Sequence, residues 1–212
     1  MGDPDEVGVE FPLSGWSFKA SFRPAGETCG RMQTVPLEVT GDGDFVLRPA
    51  GHAGIYDVTL FGRGNGDLFT TFRWTTPADG PLPKPKARLA VLANHDGAVD
   101  SYGVELELRN LAQTPRRTSA TITVESGDGD ALTFKAKRSR GRCFPEGGVY
   151  WDGPDDKGLA AAGLGDRPFA YTVELLLDGE RYVARAVWPD DEIPGNQPSV
   201  SLEFTPNLPA LS

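Results

Sequence analysis

Cysteine, methionine and histidine are scarce in this chain, with two of each among 212 residues. Cys29 and Cys143 are too few for a disulfide scaffold and too far apart for a zinc knuckle. They fit either one long-range bridge in an oxidising compartment or two free thiols in a reducing cytosol. His52 lies in Pro49-Ala50-Gly51-His52-Ala53-Gly54 and His95 in Asn94-His95-Asp96-Gly97, both loop sequences. No H-E-x-x-H, nucleophile elbow or P-loop is present, and the glycine-rich 62–66 stretch runs into a strand rather than a helix N-terminus. No apolar run approaches the roughly 18 residues of a membrane helix. The opening Met1-Gly2-Asp3-Pro4-Asp5-Glu6 is acidic and has no apolar signal core. The expectation is a cytoplasmic protein, or an extracellular one if the N-terminus has been trimmed.

Acid is abundant instead. Thirty Asp and Glu against 21 Lys and Arg leave a net charge of −9, which repels nucleic acid and anionic lipid at long range. No nucleic acid partner and no membrane insertion are expected. Glycine (26) and proline (18) are scattered through the chain and argue against long helices. Short runs of β-branched and aromatic residues recur between Gly, Asp, Asn and Pro clusters, at 16–23, 35–40, 45–48, 55–62, 68–74, 87–93, 102–110, 119–125, 131–136, 169–177, 182–188 and 199–204. In Val104-Glu105-Leu106-Glu107-Leu108-Arg109 the two-residue alternation of a half-buried strand is plain. Gly41-Asp42-Gly43-Asp44, Gly64-Asn65-Gly66-Asp67, Gly127-Asp128-Gly129-Asp130 and Asp178-Gly179 read as hairpin turns. One short helix is expected over 157–164, capped by an Asp.

The order of these signals recurs. The stretch 37–44 matches 122–130 in pattern, 56–60 matches 171–175, 72–80 matches 184–191, and 85–92 matches 198–204. The expected fold is all-β, with two tandem antiparallel β-sandwich domains related by internal duplication. The first spans 12–94 and the second 99–208, with 94–100 as linker and an inserted loop near 138–168. Strand count and turn spacing resemble the immunoglobulin-like group, without the Cys…Trp…Cys spacing of antibody domains. Trp74, Trp188 and Trp16 are expected as core plugs.

The inserted loop holds the one basic island, Lys135, Lys137, Arg138, Arg140 and Arg142, followed by Phe144, Tyr150, Trp151 and Asp152. Arg beside Tyr and Trp is the composition of interface hot spots, and loops on a rigid scaffold are where recognition concentrates. The expected function is a non-catalytic module that recognises a protein partner through Arg138, Arg140, Arg142, Phe144, Tyr150, Trp151 and Asp152. A carbohydrate-binding sandwich, with Tyr150 and Trp151 stacking on sugar rings, is the first alternative. An enzyme with a concave acidic pocket holding paired carboxylates is the second. A self-contained loop, its Arg side chains paired with Asp152, Asp155 and Asp156, is the structural alternative. No catalytic residue and no cofactor are expected. No metal is expected either, although Asp96 with Asp100, and Asp152 with Asp155 and Asp156, are the sets closest to a calcium loop.

Overall fold

The computed structural model describes residues 3–91, 104–141, 143–193 and 198–211. The chain divides into two units, one of residues 1–84 with 211–212 and the other of 85–210. The boundary therefore falls between Lys84 and Pro85 rather than at 94–100, and the linker expected there lies outside the described residues.

Unit 1 has seven strands among the described residues: β1 (Val7–Glu10), β2 (Ser17–Pro24), β3 (Gln33–Pro36), β4 (Glu38–Gly41), β5 (Asp44–Leu47), β6 (Gly54–Arg63) and β7 (Asp67–Thr76). They form a three-stranded sheet, β1-β5-β4, and a four-stranded sheet, β3-β2-β6-β7, all antiparallel. Alternation makes each sheet two-faced. Val7, Phe45 and Leu47 of the first sheet share one core with Phe18, Phe22, Val58, Leu60 and Trp74 of the second. In immunoglobulin lettering the sheets are B-E-D and C′-C-F-G.

Unit 2 contains β8 (Lys86–Ala90), β9 (Glu105–Arg109), β10 (Thr118–Glu125), β11 (Ala131–Arg138), β12 (Val149–Asp152), α1 (Asp155–Ala162), β13 (Phe169–Leu177), β14 (Glu180–Trp188) and β15 (Ser199–Ser201). The strand order is β14-β13-β10-β11-β12-β9-β8-β15. Strand β11 pairs with β10 through Ala131–Ala136 and with β12 through Lys137 and Arg138, so one long strand passes from sheet to sheet. On either side of it lie G-F-C-C′ (β14-β13-β10-β11) and E-B-A (β12-β9-β8), with β15 added outside A. Leu89, Leu106, Leu108 and Trp151 of one side pack in the same core as Ile122, Val124, Val173, Leu175 and Trp188 of the other.

The all-β, immunoglobulin-like reading holds in both units. The expected repeat follows it only in part. The Tyr-bearing stretches 56–60 and 171–175 do occupy equivalent strands, β6 and β13, and the Trp-ending stretches occupy β7 and β14. The other two matches do not. The stretch 37–44 runs through β4 towards β5, whereas 122–130 makes the β10–β11 hairpin. The stretches 85–92 and 198–204 supply β8 and β15, which pair with each other inside unit 2, Ser199 opposite Ala90. Pairing order recurs between the units, but the sequence register of the expected duplication does not.

Local chemistry accounts for the turns and the helix. Asp178 and Gly179 both have positive φ (48° and 103°), as a two-residue hairpin turn requires. The Asp178 carboxylate also accepts the amides of Arg116 (3.0 Å) and Arg117 (2.8 Å), and these backbone donors hold its pKa below the usual range. The helix starts and ends two residues earlier than expected and has no Asp cap. Pro154 stands at its N-cap with no side-chain hydrogen bond, and Asp155 and Asp156 fill the first turn, where the helix dipole favours acid.

Neither cysteine is a free thiol: Cys29 and Cys143 are both disulfide-bonded. No helix among the described residues is long and apolar enough to cross a membrane.

Candidate functional site

The region 138–168 is not a loose insertion. It carries β12, a core strand, and α1, which packs on β11. Residues on β12 alternate between core and surface, and this decides the fate of each expected contact residue. Val149 and Trp151 point inward and are 1% exposed, while Tyr150 is half-buried and Asp152 exposed on the other face. Trp151 is therefore a core residue and not a contact residue. The Tyr150–Trp151 sugar platform does not form, because neighbouring residues of a strand face opposite ways. The short β12 run of Val149-Tyr150-Trp151-Asp152 looks in sequence like an aromatic recognition patch because the inward tryptophan is flanked by outward polar neighbours.

Register then builds the outer face. Tyr150 sits directly opposite Glu107 on β9, and its hydroxyl donates to Glu107 Oε1, which also accepts Arg109 Nε. Burial, then the Glu107 hydrogen bond and charge, push the Tyr150 phenol up to about 12. Burial alone would lower Arg109, but the bond and charge of Glu107 more than offset it, and its pKa is raised. Phe144 stacks on Tyr150, with ring centroids 4.8 Å apart and planes 23° apart. A side chain at Gly141 would meet that phenyl ring at 2.8 Å and would push Phe144 from its place on Tyr150.

The rest of the loop is tied down by its own backbone. Arg138 Nη1 donates to Pro115 O (3.3 Å), Ser139 N to Tyr150 O (2.9 Å) and Gly147 N to Thr114 Oγ1 (2.7 Å), while the Ser139 hydroxyl donates to Asp152. Arg140 is exposed. Arg142 lies outside the described residues. The expected Arg pairing with Asp152, Asp155 and Asp156 is not what holds the loop: Arg138 goes to a carbonyl, and Asp156 pairs with its neighbour Lys157 at 3.8 Å. Of the expected residues, Phe144 and Tyr150 come together by stacking and Asp152 lies on the same side of β12 as Tyr150, Arg140 is exposed in the adjoining loop, and Trp151 turns into the core.

Other candidate chemistry is thin. Among the described residues no three or more His, Cys, Asp or Glu side chains converge as a metal site, so Asp152, Asp155 and Asp156 form none; Asp96 and Asp100 lie outside the described residues. An acidic cleft of about 380 Å³ exists in unit 2, lined by Arg185, Asp190, Asp191, Glu192, Ser201 and Glu203. It is the concave acidic feature that the enzyme alternative calls for, but Asp191 is committed to the turn, accepting Val187 N at 2.7 Å. In unit 1, His52 Nδ1 lies 3.5 Å from Asp79, both well exposed, and Asp79 also accepts Ala53 N (2.7 Å). That backbone bond, then His52, holds the Asp79 pKa low. The pair closes a loop; Tyr56 donates to His52 O at 2.7 Å. His95 lies outside the described residues.

A feature absent from the sequence reading is the edge of unit 1. Leu68 and Phe69 are adjacent apolar residues on β7, and both are exposed, Phe69 at 68%. Two neighbours in a strand cannot both face the core, so the dipeptide itself is the signal that one must face water.

No family model matches this chain. No curated protein matches it either. Among solved structures it is similar to the FN1–FN3 domains of chicken CNTN1, with 12% identity and a TM-score of 0.25. The likeness covers 88% of this chain and 60% of that one, so the chain spans about three fifths of its length.

Proposed function

We propose that this protein is a non-catalytic binding module that recognises a protein partner through the outer face of β12 and the 139–148 loop. The observation that carries the reading is the braced aromatic ledge, Phe144 stacked on Tyr150 and Tyr150 anchored to Glu107 and Arg109, with Arg140 exposed in the loop that follows β11. A rigid aromatic pair loses little conformational entropy on binding, and an adjacent arginine adds directional donors. Asp152, two residues along β12 from Tyr150, belongs to the proposed surface. Carbohydrate binding is the weaker reading, since only one of its two stacking rings is on the surface.

The two disulfide-bonded cysteines support work in an oxidising, extracellular-type compartment rather than the cytosol. Alkylation of the denatured chain is expected to add two adducts after reduction and none before it, read by intact mass.

The surface is tested with Arg140→Glu combined with Phe144→Ser. Photo-crosslinking from the exposed position 146 of the same loop is expected to capture a protein when Arg140 and Phe144 are native and to lose it in the double variant, whose thermal midpoint stays close to native. Capture that survives the double substitution contradicts the reading. A glycan array is expected to stay blank.

A further inference from the structure

Strand β7 is the last strand of its sheet and ten residues long, and it pairs with β6 without a bulge from Asp67 opposite Arg63 to Thr76 opposite Gly54. Among the described residues nothing hydrogen-bonds to its outer edge. Natural proteins blunt such edges with Lys, Pro, bulges or very short strands. The β7 sequence Asp67-Leu68-Phe69-Thr70-Thr71-Phe72-Arg73 has none of these, and Asp67 through Thr71 are exposed. The opposite edge of the same sheet is defended: β3 has four residues and ends in Pro36. The equivalent edge of unit 2 is covered by its own chain, with Val183 of β14 and Thr205 exchanging both backbone hydrogen bonds at 2.9 Å.

We infer that the open edge of β7 pairs antiparallel with β7 of a second copy of this chain, extending the four-stranded sheet across a two-fold axis at Thr70. The two-fold axis stands perpendicular to the sheet and keeps each residue on its own face, so opposed positions have the same parity. Centred on Thr70, the register sets Asp67 opposite Arg73 of the copy at both ends, Phe69 opposite Thr71, and Leu68 opposite Phe72. Opposite charges close both ends, and the apolar and β-branched residues meet between them, which are the cross-strand pairs that stabilise sheets. A shift of two residues in either direction loses both charge pairs. Arg73 is available for this pairing, because its bond to Asp57 uses Nε alone, at 2.9 Å. Phe69 is held in place by Phe61, with centroids 4.8 Å apart, and Lys19 Nζ lies 4.9 Å from the centroid of that second ring. This surface is separate from the Arg140 ledge, and its failure would leave the proposed function untouched.

The test is the oligomeric state of the full chain by light scattering over a concentration series, with two kinds of variant. The native chain is expected to reach twice the chain mass as concentration rises. Phe69→Lys with Thr71→Lys, both on exposed outward positions, is expected to weaken dimerisation by at least about tenfold while leaving the thermal midpoint of the monomer close to native. Thr70→Cys is expected to give a covalent dimer on mild oxidation, whereas Glu10→Cys, exposed on β1, is not. A chain that stays monomeric at every concentration and gives no Thr70→Cys dimer overturns the inference, as does a monomer whose β7 binds only an extended peptide of another protein. A native dimer that survives the double lysine variant overturns it too.

Discussion

The two units finish the same sheet differently. In both, the C′-C-F-G sheet ends on a strand whose last core residue is a tryptophan, Trp74 on β7 and Trp188 on β14. Unit 2 covers that edge with its own chain at Thr205, and Phe204 just before it is buried. Among the described residues nothing pairs with the corresponding edge of unit 1, and Phe69 is exposed there. A sheet edge is a row of unpaired backbone donors and acceptors, so the comparison separates a unit that satisfies itself from one that offers pairing to something else.

The strongest way to break the comparison is to remove the cover. Phe204→Ala deletes a core side chain and is expected to cost about 3–5 kcal/mol by denaturant unfolding. It is also expected to raise the hydrogen-exchange rate at Val183 towards that of the β7 edge. Unchanged exchange at Val183 would mean that the 204–206 segment does not act as a cover.

A smaller effect distinguishes the two tryptophans. Trp74 Nε1 donates to Pro4 O at 3.1 Å, whereas the buried Trp188 Nε1 has no hydrogen-bond partner among the described residues. Trp→Phe at position 74 is expected to cost about 0.5–1.5 kcal/mol more than at 188, the net worth of one hydrogen bond. Equal costs by chemical denaturation would contradict that assignment.

Two titrations sharpen the contrast further. In unit 2, burial and Glu107 raise Tyr150 to about 12, so its contribution to stability is complete below the ordinary phenol value near 10 and is lost as the pH climbs through the folded value. Ultraviolet titration is expected to show two late tyrosinates, Tyr150 and Tyr182, and the late absorbance to fall by about half in Tyr150→Phe. In unit 1, the hydrogen bond from Arg73 depresses Asp57, so that pair supports the fold above the ordinary carboxylate range and is lost as pH falls through the depressed value. The pair is exposed and the effect on thermal midpoint is the smallest of the four. It is expected to vanish in Arg73→Gln, and a variant with the native acid profile would contradict it.

Much of this fold is legible in residue order because strands with one buried face alternate and their turns need Gly or Asp. The hairpins at 178–179 and 127–130 and the core roles of Trp74 and Trp188 follow from that alone. Strand β1 is harder to read, since Val7-Gly8-Val9-Glu10 is four residues with a glycine inside. Strand β12 is hidden in the same way, and with it the inward turn of Trp151, because composition marks aromatic residues without saying which face they take. The domain boundary lies earlier than residue order suggests because 85–91 reads as a strand wherever it pairs, and only long-range pairing with β9 and β15 assigns it to unit 2. The Glu107–Tyr150 bond joins residues far apart in the chain and depends on strand register, which local pattern does not contain.

The most direct measurement is hydrogen exchange along β7 and β14 at low and high protein concentration. The account predicts that the outward amides of 67–73 become protected as concentration rises, while Val183 is protected throughout. Exchange at β7 that is independent of concentration, or as slow as at Val183 in the dilute chain, would contradict it.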